Sequence, residues 1–225
     1  MNIEQARFNM IEQQIRPWDV LDTQILQILT IVRREDFVPP AHKALAFVDM
    51  EIPLSKGGHA SQTMLAPRVE ARMLQDLAIQ KHEKVLEIGT GSGYMAALLA
   101  HRAQHVLTLE CDAALAQMAK ANLDKAGIYN AEVRHADGAK LLPADLLAQA
   151  PFDAIVLSGS VAQVPPALLD LLKVGGRLAA VVGDEPMMRF TLITKVADTS
   201  TSSHQAWDTV APRLQGFAQP SSFSF

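Results

Sequence analysis

The chain has 225 residues, 49% of them hydrophobic and 20% charged, with a formal net charge of -4, a mean hydropathy of +0.10 and a pI near 6.0. That length suffices for one domain with a large buried core, and the composition is that of a globular protein with few disordered stretches. An acidic balance without a Lys/Arg cluster argues against a nucleic-acid partner, and the lack of an apolar leader core or a long apolar run argues against secretion and membrane spanning. The single cysteine, Cys111, excludes an internal disulfide, suits a reducing cytoplasm, and is expected to be a small buried residue because it follows an apolar strand.

In chain order, Ile3, Phe8, Ile11 and Ile15 repeat at helical offsets until Pro17-Trp18 breaks the pattern. Val20, Ile25, Leu26 and Leu29 make a second apolar face with Asp22 or Thr23 as N-cap, and Phe37-Val38-Pro39-Pro40 stops it. Residues 41–67 carry Pro53, Gly57, Gly58 and Pro67 with little periodicity, a long irregular segment of the kind that covers a site. From Val69 the pattern alternates: helix to Leu77, strand Lys84 to Ile88, helix Tyr94 to Arg102, strand His105 to Leu109, and helix Asp112 to Ala126 stopped by Gly127. Further strands are expected at Ala131 to Arg134, Asp153 to Leu157 and, after a turn at Gly175-Gly176, Leu178 to Val182, with a helix from Pro166 to Leu172. Strands rich in Val, Leu and Ile between helices imply an α/β fold: a doubly wound, mostly parallel sheet behind an N-terminal helical extension. Thr199 to Ser203 reads as a flexible turn and the Ser/Phe tail as a loose end. The organisation expected is residues 1–67 as extension and covering loop and 68–225 as the main domain, one structural unit overall.

The strand at Val85 opens through Gly89-Thr90-Gly91-Ser92-Gly93 into the helix at Tyr94. Glycines at every second position allow positive φ and close approach of a ligand to the backbone. A dinucleotide loop requires Gly or Ala where this chain has Tyr94, so a pyrophosphate site is disfavoured. With Glu87 two residues before the first glycine, the run instead resembles the first motif of S-adenosylmethionine-dependent methyltransferases; the alternative is a tight strand-to-helix turn without a ligand. In open α/β sheets the ligand lies beyond the carboxyl ends of the strands, and the ends here are polar in order. Glu110 ends the second strand, suited to accepting two hydrogen bonds from a ribose diol, or else a charge at a helix start. Asp137-Gly138 ends the third, suited to the exocyclic amine and edge of adenine, or else an Asx turn. Ser158-Gly159-Ser160 ends the fourth, on the methionine or substrate side, or else a polar turn. Together they point to S-adenosyl-L-methionine, with S-adenosyl-L-homocysteine as product, and to Glu87, Gly89, Thr90, Gly91, Gly93, Glu110, Asp137, Gly138 and Ser158 as its binding residues.

The wording "VLEIGTGSGYMAALLA", "HVLTLE", "ADG", "PFDAIVLSGS" and "VPPALLDLLKVGGRLAAVVG", with "VLDTQILQILTIVRREDFVP" and "DMEIPLSKGG" upstream, resembles the protein-L-isoaspartate O-methyltransferase family over roughly residues 10–196. The resemblance implies a Rossmann-like methyltransferase acting on carboxylates of damaged proteins or peptides. Where that family carries Gln-Thr-Ile-Ser, two positions before Pro, with the serine beside the transferring methyl, this chain reads Gln62-Thr63-Met64-Leu65-Ala66-Pro67. Leu65 would then offer an apolar wall where a carboxylate needs a donor, leaving Thr63 or Ser61 to supply a hydroxyl. Methyl transfer to an already ionised carboxylate needs orientation rather than a general base. Two alternatives stay open: a different, less charged and possibly small-molecule acceptor, or cofactor binding without turnover. The family's apolar C-terminal segment is matched loosely by Thr209 to Leu214, where Arg213 could bind a substrate carboxylate or stand exposed without a partner. No histidine spacing suggests a metal site, Trp18 and Trp207 read as packing residues, and the oligomeric state is not legible.

Overall fold

The computed structural model describes residues 2–55, 62–140 and 143–219. Ser61, Gly57, Gly58 and the Ser/Phe tail lie outside the described residues. Among the described residues, seven α-helices and nine strands follow in chain order: α1 (Ile3–Met10), α2 (Thr23–Ile31), β1 (Ile52–Pro53), β2 (Thr63–Met64), α3 (Pro67–Leu77), β3 (Lys84–Ile88), α4 (Tyr94–Ala100), β4 (His105–Glu110), α5 (Ala113–Lys125), β5 (Ala131–His135), α6 (Ala144–Leu147), β6 (Phe152–Val161), α7 (Pro166–Asp170), β7 (Leu172–Asp184), β8 (Met187–Ala197) and β9 (Ser200–Asp208).

β3 to β9 form one sheet in the order β5-β4-β3-β6-β7-β8-β9. The first five of these pair in parallel, and β8 and β9 follow antiparallel at one edge. The chain leaves β3 toward β4 and β5, then returns to place β6 on its other side, so the winding direction reverses between β3 and β6. That reversal opens a crevice at the carboxyl ends of these strands, the place where such folds bind ligands.

Side chains alternate across the sheet and fill both faces. Val85, Val106, Ala154, Val156, Ala179 and Val181 face an apolar cluster that also holds α3, α4 and the N-terminal elements. Leu86, Ile88, Leu107, Leu109, Ile155 and Leu157 face a second cluster with α6, α7 and Phe217. The continuous apolar runs seen in the sequence are therefore strands covered on both sides.

The structure departs from the sequence reading at several points. Thr199 to Ser203, expected as a flexible turn, enters β9, which pairs along β8. β9 is almost wholly exposed as an edge strand and carries no apolar alternation that would reveal it. Gly175-Gly176 does not precede the fifth parallel strand but lies within β7, at a bulge where Phe152 to Ala154 oppose Leu172 to Arg177. Ile3 and Phe8 are exposed, while Ile11 and Ile15 are buried. A π turn over Ile11–Ile15 shifts the helical phase between the two pairs. Asp22 is the N-cap of α2, its side chain accepting the Gln24 N–H at 2.8 Å. Trp207 packs, stacked on Phe190 at 4.7 Å and bonded through its indole N–H to Asp76. Trp18 is 42% exposed, with the Arg68 guanidinium 4.2 Å from its ring centre.

The N-terminal elements are fastened by one buried cation. Arg34 is fully buried and donates to the carbonyls of Ala46 (2.9 Å), Leu65 (2.9 Å) and Met50 (3.4 Å). Burial lowers its pKa, while the charge of Glu70 on α3 opposes that shift. Burial also raises Glu70 to about 8, against the pull of Arg34. Replacing Arg34 strands three carbonyls whose donors are gone, so Arg34→Met is expected to cost about 3 kcal/mol or more of stability. Urea unfolding measures this, and an unchanged midpoint would show that the guanidinium bonds contribute nothing.

Candidate functional site

At the crevice, the loop after β3 is shaped by Gly89, Gly91 and Gly93, at φ +93°, +54° and +85°. A side chain at Gly89 would be strained by that backbone angle, and its Cβ would stand 2.7 Å from Leu214 Cδ2. At Gly91 the nearest atom to a Cβ is Leu54 Cδ1, at 3.1 Å. The close approach at these glycines is thus made by two covering side chains, one from the segment after β1 and one from the C-terminal segment. The Gly89 and Thr90 N–H groups both bond the Leu109 carbonyl, which ties the loop to β4.

Beneath the loop, Glu87 is completely buried. Ser158 Oγ donates to its Oε1 at 2.6 Å and Thr108 Oγ1 to its Oε2 at 2.7 Å, which links β3 laterally to β6 and β4. Thr108 spends its one proton on Glu87, so the Thr90 hydroxyl, 2.6 Å away, donates to Thr108. Burial raises the Glu87 pKa to about 7, the hydroxyl bonds oppose it, and the nearby Glu110 adds to it. Glu110, at the end of β4, accepts from the Gly91 N–H at 2.8 Å and the Asp112 N–H at 3.0 Å.

One cavity collects Thr63, Gly89, Gly91, Glu110, Asp137, Gly138 and Ser158. Apolar walls come from Ile88, Leu109, Leu115 and Phe217. Glu87, Thr90 and Gly93, expected to bind the cofactor, do not line this cavity. Glu87 and Thr90 lie below the loop, and Gly93 caps α4 against Ala119. Asp137 both lines the cavity and makes an Asx turn, accepting the Ala139 N–H at 3.0 Å, with Lys140 Nζ at 2.9 Å.

Cys111, expected to be buried, is exposed at the cavity rim. It sits just past the end of β4, where the chain turns outward toward α5. Burial and the neighbouring Glu110 raise its pKa to about 11, so it is a neutral thiol rather than a nucleophile at physiological pH. Leu65, expected to wall the pocket, is instead packed in the apolar cluster and is absent from the cavity lining. Thr63 is the residue of β2 that lines it; Met64, its neighbour along the strand, faces the apolar cluster, and Leu65 lies just beyond β2 in that same cluster. Gln62, which also lines it, bonds Asp112 Oδ2 at 3.0 Å and so joins the cover to the start of α5.

The C-terminal segment closes the other side. Ser160 donates from N to the Pro212 carbonyl (2.7 Å) and from Oγ to that of Ala211 (2.8 Å), and the Leu214 N–H returns to the Ser160 carbonyl (2.9 Å). Arg213, left in the sequence as exposed or substrate-facing, is held by Asp184 Oδ1 at 2.5 Å and the Gly183 carbonyl at 2.9 Å and lines the cavity. Leu214, Gln215 and Phe217 were missed as lining residues; Leu214 ended the loosely matched C-terminal stretch, and no sequence pattern marked the other two.

A raised carboxyl pKa means that the folded state holds its proton more tightly than the unfolded chain. The contribution of Glu87 is therefore complete below about pH 4.5 and lost as pH rises to about 7. Glu87→Gln is expected to remove of the order of 3 kcal/mol from the stability difference between about pH 5 and about pH 8. Denaturant titrations at both pH values test this against the unaltered protein, in which Glu70 contributes equally to both curves. Parallel pH dependences would show that Glu87 does not titrate in this range.

With this geometry in place, the likeness to known proteins is specific. The profile of the protein-L-isoaspartate(D-aspartate) O-methyltransferase family matches residues 5–210. Protein-L-isoaspartate O-methyltransferase 1 of Syntrophobacter fumaroxidans is 39% identical over 193 residues, 86% of each chain. The protein-L-isoaspartate O-methyltransferase of Rhodopseudomonas palustris is 37% identical over 215 residues, 94% of this chain and 95% of that one. In architecture, the chain matches a Plasmodium falciparum protein assigned as a protein-L-isoaspartate O-methyltransferase and crystallised with S-adenosyl-L-homocysteine. The TM-score is 0.77 at 19% identity, covering 95% of this chain and 99% of that one. The chain belongs to the protein-L-isoaspartate(D-aspartate) O-methyltransferase family, whose members are S-adenosylmethionine-dependent O-methyltransferases.

Proposed function

We propose that this chain binds S-adenosyl-L-methionine in the cavity at the ends of β3, β4 and β6 and transfers its methyl group to a carboxylate of a damaged protein or peptide. The observation that carries this reading is the polarity of the cavity: carboxylates at two successive strand ends, apolar walls between them, and a fixed glycine loop beneath. The residues fit the group. Glu110, its carboxylate kept in place by backbone bonds, would accept from a ribose diol, and Asp137 and Gly138 would meet the adenine edge, with Ile88 and Phe217 as apolar walls. Gly89, Gly91 and Ser158 border the methionine end. Glu87, Thr90 and Gly93 act indirectly, by fixing the loop.

S-adenosylmethionine, when bound, supplies a methyl group on a sulfonium centre that an oxygen nucleophile can displace in line. The acceptor carboxylate is already ionised at neutral pH, so no residue here has to remove a proton. The protein orients the two reactants and excludes water. Thr63 takes the positioning role at the acceptor, since its Oγ1 is buried, lines the cavity and has no hydrogen-bond partner among the described residues. Residues 1–67 serve as the cover on the acceptor side, and 68–225 carry the cofactor. A reducing cytoplasmic setting suits the neutral, unpaired Cys111; among the described residues no helix is long and apolar enough to cross a membrane.

Calorimetric titration and methyl transfer separate the two halves of this reading. Glu110→Ala is expected to weaken S-adenosylmethionine binding at least tenfold, and binding unaffected by this change would overturn the assigned site. Radiolabelled transfer to an isoaspartyl peptide is expected in the unaltered protein, with a loss of roughly tenfold in Thr63→Val and little change in cofactor affinity. Leu65→Ser places a hydroxyl in an apolar cluster and is expected to bring no gain. Bound cofactor without transfer in either the unaltered protein or Leu65→Ser would overturn the acceptor and leave the cofactor.

A further inference from the structure

Two residues that line the cavity each carry a buried donor with no hydrogen-bond partner among the described residues, Thr63 at Oγ1 and Arg213 at Nη1. They reach it from opposite covers: Thr63 on β2, Arg213 on the segment bonded to the end of β6.

Arg213 is not a loose surface cation. Its Nη2 is engaged by Asp184 and the Gly183 carbonyl, and its backbone bridges to Ser160. These contacts fix the guanidinium plane but use only one of its two terminal nitrogens. A guanidinium carries five N–H donors in a rigid fork, so the anchored group still presents the Nη1 pair. Arg213 is the one cation among the described lining residues, which otherwise carry the acids Glu110 and Asp137. A desolvated charged donor left unpaired is costly, and a ligand that accepts from it repays that cost on binding.

The geometry points to a carboxylate subsite in which Arg213 Nη1 and the Thr63 hydroxyl together receive one carboxylate group. Charge-assisted bonds from a fork and a hydroxyl fit the two oxygens of a carboxylate and reject its amide, which brings hydrogens of its own toward the donors. The subsite rests on the reading of the cavity given above, and its carboxylate comes either from the acceptor or from the methionine end of the cofactor. Arg213 thereby becomes a specificity-determining residue on a segment where the sequence matches its relatives' pattern only loosely.

Two matched ligand pairs distinguish the sources in calorimetric titrations of the full chain. One pair is S-adenosyl-L-homocysteine and 5′-methylthioadenosine, which lacks the amino-acid end. The other, with product cofactor present, is an isoaspartyl peptide and the same peptide carrying an amide at that carboxyl. Arg213→Met and Thr63→Val are each expected to weaken the carboxylate member of one pair by roughly tenfold or more and to leave its neutral member unchanged. A loss confined to S-adenosyl-L-homocysteine assigns the subsite to the cofactor, and one confined to the isoaspartyl peptide assigns it to the acceptor. Thr63→Val carries the comparison alone if Arg213→Met does not fold. Equal effects on carboxylate and neutral ligands, or none, would overturn the subsite while retained 5′-methylthioadenosine binding leaves the cofactor cavity standing. Failure of the unaltered protein to bind either nucleoside would overturn the cavity reading, and the subsite with it.

Discussion

The buried carboxylate of Glu87 sets the geometry on which the site depends. It lies on β3, beside the reversal of winding, and bonds hydroxyls on both neighbouring strands, β4 and β6. An ionised carboxylate in this position is costly, as its raised pKa records. In return, β3, β4 and β6 are held in lateral register at the level where the glycine loop leaves the sheet. Thr90 extends the network into the loop through Thr108, and Glu110 holds Gly91 from the rim. The loop is thus fixed by two carboxylates, one below it and one beside it, and a ligand entering the crevice meets a surface already in place. Preorganisation of this kind is the main contribution a protein can make to a displacement that needs no general base.

A second constraint acts on the cover. Arg34 gathers the carbonyls of Ala46, Met50 and Leu65, so the N-terminal elements and the strand bearing Thr63 are held to one buried cation. Arg34 and Arg213 differ in how their donors are used. Both Arg34 terminal nitrogens are spent on backbone carbonyls, whereas Arg213, a residue of the cavity lining, uses Nη2 for anchoring and leaves Nη1 without a partner among the described residues. The first arrangement makes scaffold and the second keeps a donor in reserve for the proposed subsite, although the two residues look alike in a sequence.

What the sequence made legible follows from how local each signal is. The doubly wound fold could be read because strands covered on both faces are continuous apolar runs, and the helices between them end at caps such as Asp22 and Asp112. The family could be read because the glycine loop and strand ends are short, contiguous phrases. The β8–β9 edge was not readable, since β9 faces solvent and its Ser/Thr run resembles a turn. The exposure of Ile3 and Phe8 was hidden by a π turn that no residue pattern announces. Glu87 belonged to the correct motif, but its side chain faces inward to two hydroxyls rather than to the cavity. That direction depends on partners on β4 and β6, far away in sequence.

This difference in locality explains why the cofactor and acceptor sides of the cavity are unequally legible. The cofactor side is built from ends of successive parallel strands, so each polar residue follows an apolar run and announces itself. The proposed acceptor side draws on segments distant in sequence, the strand at Thr63 and the stretch around Arg213, the latter anchored to the turn at Asp184. Leu65 departs from the family's serine and Arg213 lies in a loosely matched stretch, and the structure packs the first in the apolar cluster and sets the second in the cavity lining. On the proposed reading, a change that looks like the loss of one hydroxyl at position 65 becomes a replacement of where the donors come from. The acceptor pocket therefore has to be judged on the pair Thr63 and Arg213, rather than on the serine position alone.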